Sequence, residues 1–265
     1  MLSLMEAIVV GLIQGMAEWL PVSSEGLVSL VLINVFGRSP GEAISLSIWL
    51  HGGTLAAATV YFRTELMRIL PGIPPYFKAL FMKEKKDPLI DFLAVATVIS
   101  GAIGAPLLLY VSGLSSFSGS IMTGVIGILL IITGLLQRKA KNGLGGRHDP
   151  KFDDGVIAGV AQGLAALPGV SRSGFTISAL LLRGYSASTA IELSFLMSIP
   201  AVMIAMVGIM ATGSIEVDQG ALVALLCAFV SGYITISLFL KLAAKIDFST
   251  FCIALGLLSI LAAGV

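Results

Sequence analysis

A short polar segment interrupts the apolar second half of this sequence. Residues 166–178 read ALPGVSRSGFTIS, in which Arg172 follows a Pro-Gly pair and stands between two serines. A Pro-Gly pair ends a helix, and the first N–H groups of the next helix have no partner within it. Such N–H groups, a guanidinium and hydroxyls all bind phosphate oxygens. We therefore predict that phosphate or a phosphate ester binds to Ser171, Arg172, Ser173, Gly174 and Thr176.

An earlier interruption, QGMAEWLPVSSEG at residues 14–26, carries carboxylates instead. Gln14 and Glu18 are four residues apart, which places both on one face of a helix. A carboxylate would be repelled by a phosphate in the same cavity. Glu18 therefore suggests a divalent cation, Mg²⁺ or Ca²⁺, with Gln14 as a further metal ligand. In the alternative, Glu18 or Glu192 is only the counter-ion that lets Arg172 pack in a kinked helix.

Two serines near the end of this interruption could take part in phosphoryl transfer. Ser24 could attack phosphorus if a base lies within hydrogen-bond reach, and the candidate bases are Glu18, Glu25 and His51. We expect Ser23 to contribute to phosphate binding. Both serines could instead cap the helix that follows, and His51 could be a neutral packing residue.

The elements that position these residues are membrane helices. Of the 265 residues, 57% are hydrophobic and 12% are charged, with a mean hydropathy of +1.00. Soluble domains carry roughly 25% charged residues, and a net charge of +1 argues against a surface for nucleic acid. A transmembrane helix needs about 20 apolar residues. Six runs qualify: 43–62, 89–111, 119–137, 188–210, 219–240 and 248–265.

The two polar interruptions belong to an internal repeat. GLIQGMAEWLPVSSEG, from Gly11, lies over GVAQGLAALPGVSRSG, from Gly159, at an offset of 148 residues. After a slip of one residue, GRSPGEAISLS from Gly37 lies over GYSASTAIELS from Gly184. The two halves of the chain therefore share one plan.

This plan predicts a single all-α membrane domain with six transmembrane helices and two re-entrant helical hairpins. Repeat one covers about 1–137, a cytoplasmic linker covers 138–155, and repeat two covers about 156–265. Three spans separate the two hairpins, and an odd number of crossings inverts the second copy relative to the first. We expect the hairpins to enter the bilayer from opposite faces and to meet inside it.

Orientation follows from the positions of the basic residues, which collect in cytoplasmic loops. The linkers 63–88 and 138–155 are rich in Lys and Arg, whereas the loops 112–118 and 212–220 have none. Both chain termini are then expected outside, and PGIPPYFKALFMKE in the first linker is expected to lie along the interface as an amphipathic turn.

At this point the motifs resemble a known family. QGMAEWLPVSSEG and PGVSRSGFT are similar to the two signatures of the undecaprenyl-pyrophosphate phosphatases, the bacitracin-resistance type of integral membrane phosphatase, and LHGGTLAA and AIELSFL resemble further blocks. The resemblance implies hydrolysis of a polyprenyl pyrophosphate to the monophosphate at the outer face of the plasma membrane, with a divalent cation. The lipid carrier of cell-envelope glycans, including peptidoglycan, would thereby be recycled. The expected partners are this lipid, membrane lipids and a second copy in a homodimer.

Carried onto this sequence, the resemblance implies that Glu18 is essential, that Ser24 is the nucleophile and that Arg172 belongs to the phosphate-binding loop. Two positions depart from the family pattern. Many members have a histidine where this chain has Leu27, and a small residue or Thr where it has Glu25. Either Glu25 or Glu18 is then the base, or a metal-bound water attacks, or the protein has lost hydrolysis. The rival function is a transporter or flippase of a phosphorylated polyprenyl lipid or an anion, because inverted repeats with broken helices are typical of transporters.

Overall fold

The computed structural model describes residues 2–82, 84, 86–112, 118–141, 145–211, 217–243 and 245–264. The α-helices within these ranges are α1 Leu4–Ala17, α2 Ser24–Asn34, α3 Pro40–Tyr61, α4 Arg63–Ile69, α5 Ile73–Met82, α6 Pro88–Ser112, α7 Gly119–Ala140, α8 Phe152–Leu164, α9 Arg172–Leu182, α10 Ala187–Ala211, α11 Gln219–Ala243 and α12 Ser249–Ala263. A short 3₁₀ helix, Leu70–Gly72, joins α4 to α5. No β-strand occurs in the described ranges, so the all-α prediction is confirmed.

Five of these helices, α3, α6, α7, α10 and α11, are long and apolar enough to cross a membrane. They coincide with the first five of the six predicted spans. The sixth predicted span, 248–265, corresponds to α12, which has only 15 residues. The predicted loops 112–118 and 212–220 fall largely outside the described residues, at 113–117 and 212–216.

The two interrupted runs form helix pairs, α1 with α2 and α8 with α9. Each second helix begins after a serine whose side chain accepts a hydrogen bond from the backbone three residues on: Ser23 from Gly26 and Ser171 from Gly174. In the segments that precede α2 and α9, the backbone takes positive φ at Ser23 (63°) and at Gly169 (101°). These serine caps satisfy one backbone donor each at the start of α2 and α9 and leave others free.

Each pair packs against a long helix of the other half of the chain. α1 lies on α11, where a Cβ at Gly15 would come within 2.6 Å of the Ala228 carbonyl oxygen. α8 lies on α6, where a Cβ at Gly163 would come within 2.7 Å of the Ile103 Cβ. Gly15 and Gly163 are equivalent in the repeat, and both permit contact between helix backbones, as small residues do in membrane proteins.

Helix α7 holds the segments between the paired helices. Gln137 donates from Nε2 to the Pro21 carbonyl at 2.5 Å. Thr133 donates to the Gly169 carbonyl at 3.3 Å and accepts from the Ser171 backbone N–H at 3.3 Å. Both breaks are therefore fixed to one helix, which satisfies some of the backbone groups that lie outside the helices.

In each helix pair, an acid–arginine pair joins the start of the first helix to the end of the second. We call this side of the helix pair its open end. Glu6 on α1 pairs with Arg38 after α2, with Nη2 and Oε2 2.8 Å apart. Asp154, the repeat equivalent of Glu6 on α8, pairs with Arg183 after α9 at 2.6 Å and also accepts from the Tyr185 hydroxyl at 2.8 Å. Asp154 is fully buried, so the second open end is the more tightly closed of the two.

The first basic linker differs from the prediction of an amphipathic turn, because it folds into α4 and α5. α5 buries Tyr76 and Ala79 and exposes Phe77 and Phe81. The Tyr76 hydroxyl donates to Asp91 on α6 at 2.8 Å, which ties α5 to the start of a long helix. Pro74 and Pro75 stand in the first turn of α5, where proline is tolerated because the first N–H groups have no helical partner.

Candidate active site

Glu18 is the centre of a buried polar cluster where the two breaks meet. It is the C-cap of α1, and its residue is 5% exposed. Its Oε2 accepts from the Gln14 side-chain amide at 2.9 Å and from the Ser24 hydroxyl at 2.7 Å. Its Oε1 accepts from Arg172 Nη2 in a direct ion pair. Four residues singled out in the sequence thus lie within one hydrogen-bonded group.

The helix starts explain how Ser24 and Arg172 come together. Ser24 is the first residue of α2 and Arg172 is the first residue of α9. The positive ends of the two helix dipoles therefore face the same point. The breaks also touch directly, since the Ser173 hydroxyl donates to the Leu20 carbonyl at 3.2 Å. An anion would meet unpaired N–H groups from both helices at this point.

Arg172 retains donors that the protein does not use. Its Nη1 is buried and has no hydrogen-bond partner among the described residues. Because a guanidinium offers five N–H donors in a planar fork, a phosphate could bind here while Nη2 still contacts Glu18. A buried unpaired guanidinium nitrogen is costly unless a ligand satisfies it.

The predicted phosphate-binding residues divide into two groups. Ser171, Arg172 and Ser173 line the cavity at this point. Gly174 and Thr176 are not among the lining residues: the Gly174 N–H donates to Ser171 at 3.1 Å, and the Thr176 hydroxyl contacts Ser194 at 2.5 Å. These two residues support the loop from behind, because their donors are already engaged.

Ser23, Ser24, Glu25 and His51 also line the cavity. Nδ1 of His51 lies 2.7 Å from the Ser47 carbonyl, and a carbonyl can only accept, so Nδ1 carries a hydrogen. Nε2 then faces the site, 3.4 Å from Oε2 of Glu18. His51 therefore belongs to the polar cluster, although its sequence position in a long helix was equally compatible with simple packing.

Three further residues considered from the sequence lie outside the cavity lining. Glu192 is on the exposed face of α10, and the counter-ion that contacts Arg172 is Glu18. Gln14 is fully buried and contacts Glu18 from the side of α1. Leu27 packs in an apolar cluster with Ala17, Val22 and Cys252. Position 27 thus faces away from Glu18, and the imidazole of this site comes from α3.

The cavity itself is about 370 Å³ in volume and has a mainly apolar lining. Its charged groups lie around Glu18, Ser24 and Arg172, a region that we call its base, and Thr97, Ser100 and Gln162 add polar groups elsewhere in the lining. Its walls come from α6 and α10, which contribute mainly small and apolar side chains: Gly101, Gly104, Ala105 and Leu108, and Ala201, Val202, Ala205, Gly208 and Ile209. A polar end and an apolar body suit an amphiphile with an anionic head group.

Gln162 is a cavity residue that the sequence reasoning did not assign to the site. It lines the cavity and donates to the Ser100 hydroxyl and the Met197 carbonyl, each at 3.2 Å, while its Oε1 has no partner among the described residues. The repeat carried the signal, because Gln162 is the equivalent of Gln14 and the two are identical. A glutamine kept at both positions in an apolar helix could have been taken as a site residue.

A divalent cation would find oxygen donors here, but not a complete protein cage. In the described part of the chain no three His, Cys, Asp or Glu side chains form a group that could hold a metal ion. The cavity does contain two carboxylates, Glu18 and Glu25, and Oε1 of Glu25 is unpartnered within that part. Mg²⁺ is commonly held by one or two carboxylates together with substrate phosphates. The donor set therefore fits an ion whose coordination a phosphorylated substrate completes.

Nearly the whole chain is similar to known proteins of a single family. The family model for the bacitracin resistance protein BacA matches residues 7–261. An undecaprenyl-diphosphatase of Methanococcoides burtonii is 53% identical over 98% of both chains. Proteins of the same name from Haloarcula marismortui and Methanothrix thermoacetophila are 42% and 37% identical, over 94% and 97% of this chain and 93% and 95% of their own. The resemblance seen in the two motifs is thereby confirmed, and the chain belongs to the BacA family of bacitracin resistance proteins.

Proposed function

We propose that this protein is a membrane phosphatase that hydrolyses undecaprenyl diphosphate to undecaprenyl phosphate and inorganic phosphate. The lipid carrier of cell-envelope glycan synthesis would be recycled in this way. The observation that carries the proposal is the contact of Arg172 and Ser24 with the same carboxylate, Glu18, at the polar base of a mainly apolar cavity. Relatives named undecaprenyl-diphosphatase support the same reaction.

The diphosphate head group binds at the base of the cavity. The terminal phosphate takes the unused donors of Arg172, with the hydroxyls of Ser171 and Ser173 and the free N–H groups at the start of α9 beside it. These donors also stabilise the charge on the phosphoryl oxygens in the transition state, because they are held in place before the reaction. The isoprenoid tail lies along the apolar walls and leaves sideways between α6 and α10 into lipid.

Ser24 is placed to attack the terminal phosphorus. Its hydroxyl already donates to Oε2 of Glu18 at 2.7 Å, which is the geometry of a nucleophile with its base. The proton of Ser24 passes to Glu18 as the bond from oxygen to phosphorus forms, and the anhydride bond to undecaprenyl phosphate breaks. Glu18 gives this proton to the departing lipid phosphate, takes a proton from the water that attacks the phosphoserine, and passes that proton to the Ser24 oxygen as inorganic phosphate leaves. Direct attack by water is the alternative route, in which Ser24 only orients Glu18.

The cation completes the site. Glu18 would hold Mg²⁺ or Ca²⁺ with oxygens of the substrate, and Gln14 keeps Glu18 oriented through its 2.9 Å hydrogen bond. When bound, the ion supplies positive charge that offsets the charge of the diphosphate.

For the membrane arrangement we propose six crossings and two re-entrant hairpins, α1–α2 and α8–α9, in one domain of two inverted repeats, 1–137 and 156–265, joined by the linker 138–155. Five long apolar helices and the packing of each hairpin on the other half support this arrangement. The basic linkers support cytoplasmic placement of 63–88 and 138–155, with both termini outside and the site open toward the outer face.

The direct test is phosphate release by the purified protein from a polyprenyl diphosphate in the presence of Mg²⁺ or Ca²⁺. We expect release by the wild type and loss of release in Arg172→Ala and in Glu18→Ala. Glu192→Gln, on the exposed face of α10, is the control and should behave as the wild type. Release by the wild type no greater than that of the two variants would refute hydrolysis and would favour transport of the lipid.

A further inference from the structure

One carboxylate at the base of the cavity has an oxygen without a hydrogen-bond partner among the described residues. Glu25 is the second residue of α2 and lines the cavity together with Ser24 and Arg172. Its Oε1 is buried and accepts no hydrogen bond from any residue that the structure describes. Such an oxygen is unfavourable, because it has lost water without gaining a donor. The cavity therefore contains an acceptor that the protein alone does not satisfy.

The two basic side chains that line the cavity lie beside the other carboxylate, Glu18. Arg172 forms its ion pair with Glu18, and Nε2 of His51 lies 3.4 Å from Glu18. None of the ion pairs found within the described ranges includes Glu25. A bound diphosphate would add negative charge beside Glu25, and like charges repel more strongly in an apolar cavity than in water. A cation that enters with the substrate would offset this repulsion.

We propose that Glu25 is a ligand of the divalent cation that enters with the diphosphate, a role that rests on the phosphatase function proposed above. A hard divalent ion takes carboxylate and phosphate oxygens together. Glu25 adjoins Ser24 in the chain, so an ion on its carboxylate lies near the phosphate that Ser24 attacks. Glu25 then supplies an unoccupied oxygen to this ion in addition to Glu18, whose oxygens also contact Ser24 and Arg172. Glu25, one of the two positions at which this chain departs from the family pattern, would thus have a function.

Binding of Mn²⁺, followed by electron paramagnetic resonance, tests this role without turnover. The purified protein is titrated with Mn²⁺ in the absence and in the presence of methylenediphosphonate, a diphosphate that cannot be hydrolysed. Glu25→Gln keeps the shape of the side chain and removes its charge. We expect this variant to bind Mn²⁺ at least ~10-fold more weakly than the wild type. Glu192→Gln, which removes an exposed carboxylate from α10, should bind Mn²⁺ as the wild type does.

Phosphate release provides the second readout. In Glu25→Gln the concentration of Mn²⁺ needed for half-maximal release should rise by the same factor as the binding constant, with partial recovery of the rate at saturating Mn²⁺. If Glu25→Gln folds poorly, Glu25→Asp keeps the charge and should bind Mn²⁺ more tightly than Glu25→Thr.

Two results would overturn the ligand role: Mn²⁺ affinity unchanged in Glu25→Gln, or no binding of Mn²⁺ by the wild type with methylenediphosphonate present. A protein that binds Mn²⁺ through Glu25 and releases no phosphate would instead refute the phosphatase function and leave Glu25 as a metal ligand.

Discussion

The helix pairs α1–α2 and α8–α9 share a backbone plan and differ in their charged residues. Both begin their second helix after a serine cap, and both lie against a long helix through a glycine. At equivalent positions, however, Ser24 of the first pair corresponds to Arg172 of the second, and Glu18 corresponds to Ala166. In the proposed mechanism, the first pair thus supplies the nucleophile and the carboxylates, and the second supplies the arginine that binds phosphate. A duplicated scaffold can complete a site in this way when its copies diverge at a few positions.

Removing the hydroxyl of Ser24 from the first helix pair should have the largest effect on activity. If Ser24 is the nucleophile, Ser24→Ala should lower the turnover number by about 10⁴-fold or more. Phosphate release measures this loss, and mass spectrometry should find a phosphoserine at Ser24 in the wild type quenched with acid. Ser39→Ala, at the exposed cap of α3, is the matched control with activity retained. Near-normal turnover in Ser24→Ala would establish attack by water.

Removing the guanidinium from the second pair should have the next largest effect. Arg172→Ala should lower kcat by about 10²–10³-fold, since it removes preorganised donors to the transition state. Arg172→Lys keeps a point charge but loses the fork that binds two oxygens at once, so its activity should lie between those of Arg172→Ala and the wild type. Equal activity of Arg172→Lys and the wild type would show that charge alone is sufficient.

The acid–arginine pairs at the open ends should contribute differently to the free energy of unfolding in the two helix pairs. Asp154→Asn should destabilise the protein by about 1–3 kcal/mol, because it removes a fully buried carboxylate from its donors Arg183 and Tyr185. Glu6→Gln should cost less than about 1 kcal/mol, since its partner Arg38 is partly exposed to solvent. Thermal unfolding in detergent measures both. A larger loss for Glu6→Gln would contradict the tighter closure of the second pair.

The smallest expected effect is a dependence of stability on pH through the carboxyl group of Asp154. Burial raises the pKa of the Asp154 carboxyl, but hydrogen bonds from Arg183 and Tyr185 and the charge of Arg147 outweigh it and hold the pKa below the ordinary value of 3.8. This stabilisation is therefore fully present above pH 3.8 and is lost as the pH falls through the lower pKa of the folded protein. The difference in melting temperature between the wild type and Asp154→Asn should be constant from pH 7 to about 5 and shrink below about pH 4. A difference that grows on acidification would contradict this account.

The sequence predicted the elements better than the directions of their side chains. Apolar length alone located the five long helices, and the repeat brought Glu18 and Arg172 to one place. His51 faces the cavity and Leu27 faces away from it. These directions depend on how α3 and α2 are rotated about their axes against neighbouring helices, which no local sequence pattern encodes. The helical fold of the first linker was missed because Pro74 and Pro75 look like helix breakers, although prolines in a first turn are tolerated. The cation, the homodimer and the orientation stay predictions.

The packing of α1 on α11 has a consequence for the synthesis of the protein. Gly11 on α1 accepts from Ser231 on α11, a residue that leaves the ribosome 220 positions later. Until then the glycine face of α1 lacks the helix against which it packs. The packing of α1, and with it the final position of Glu18 at its end, can therefore be completed only when the chain is almost finished.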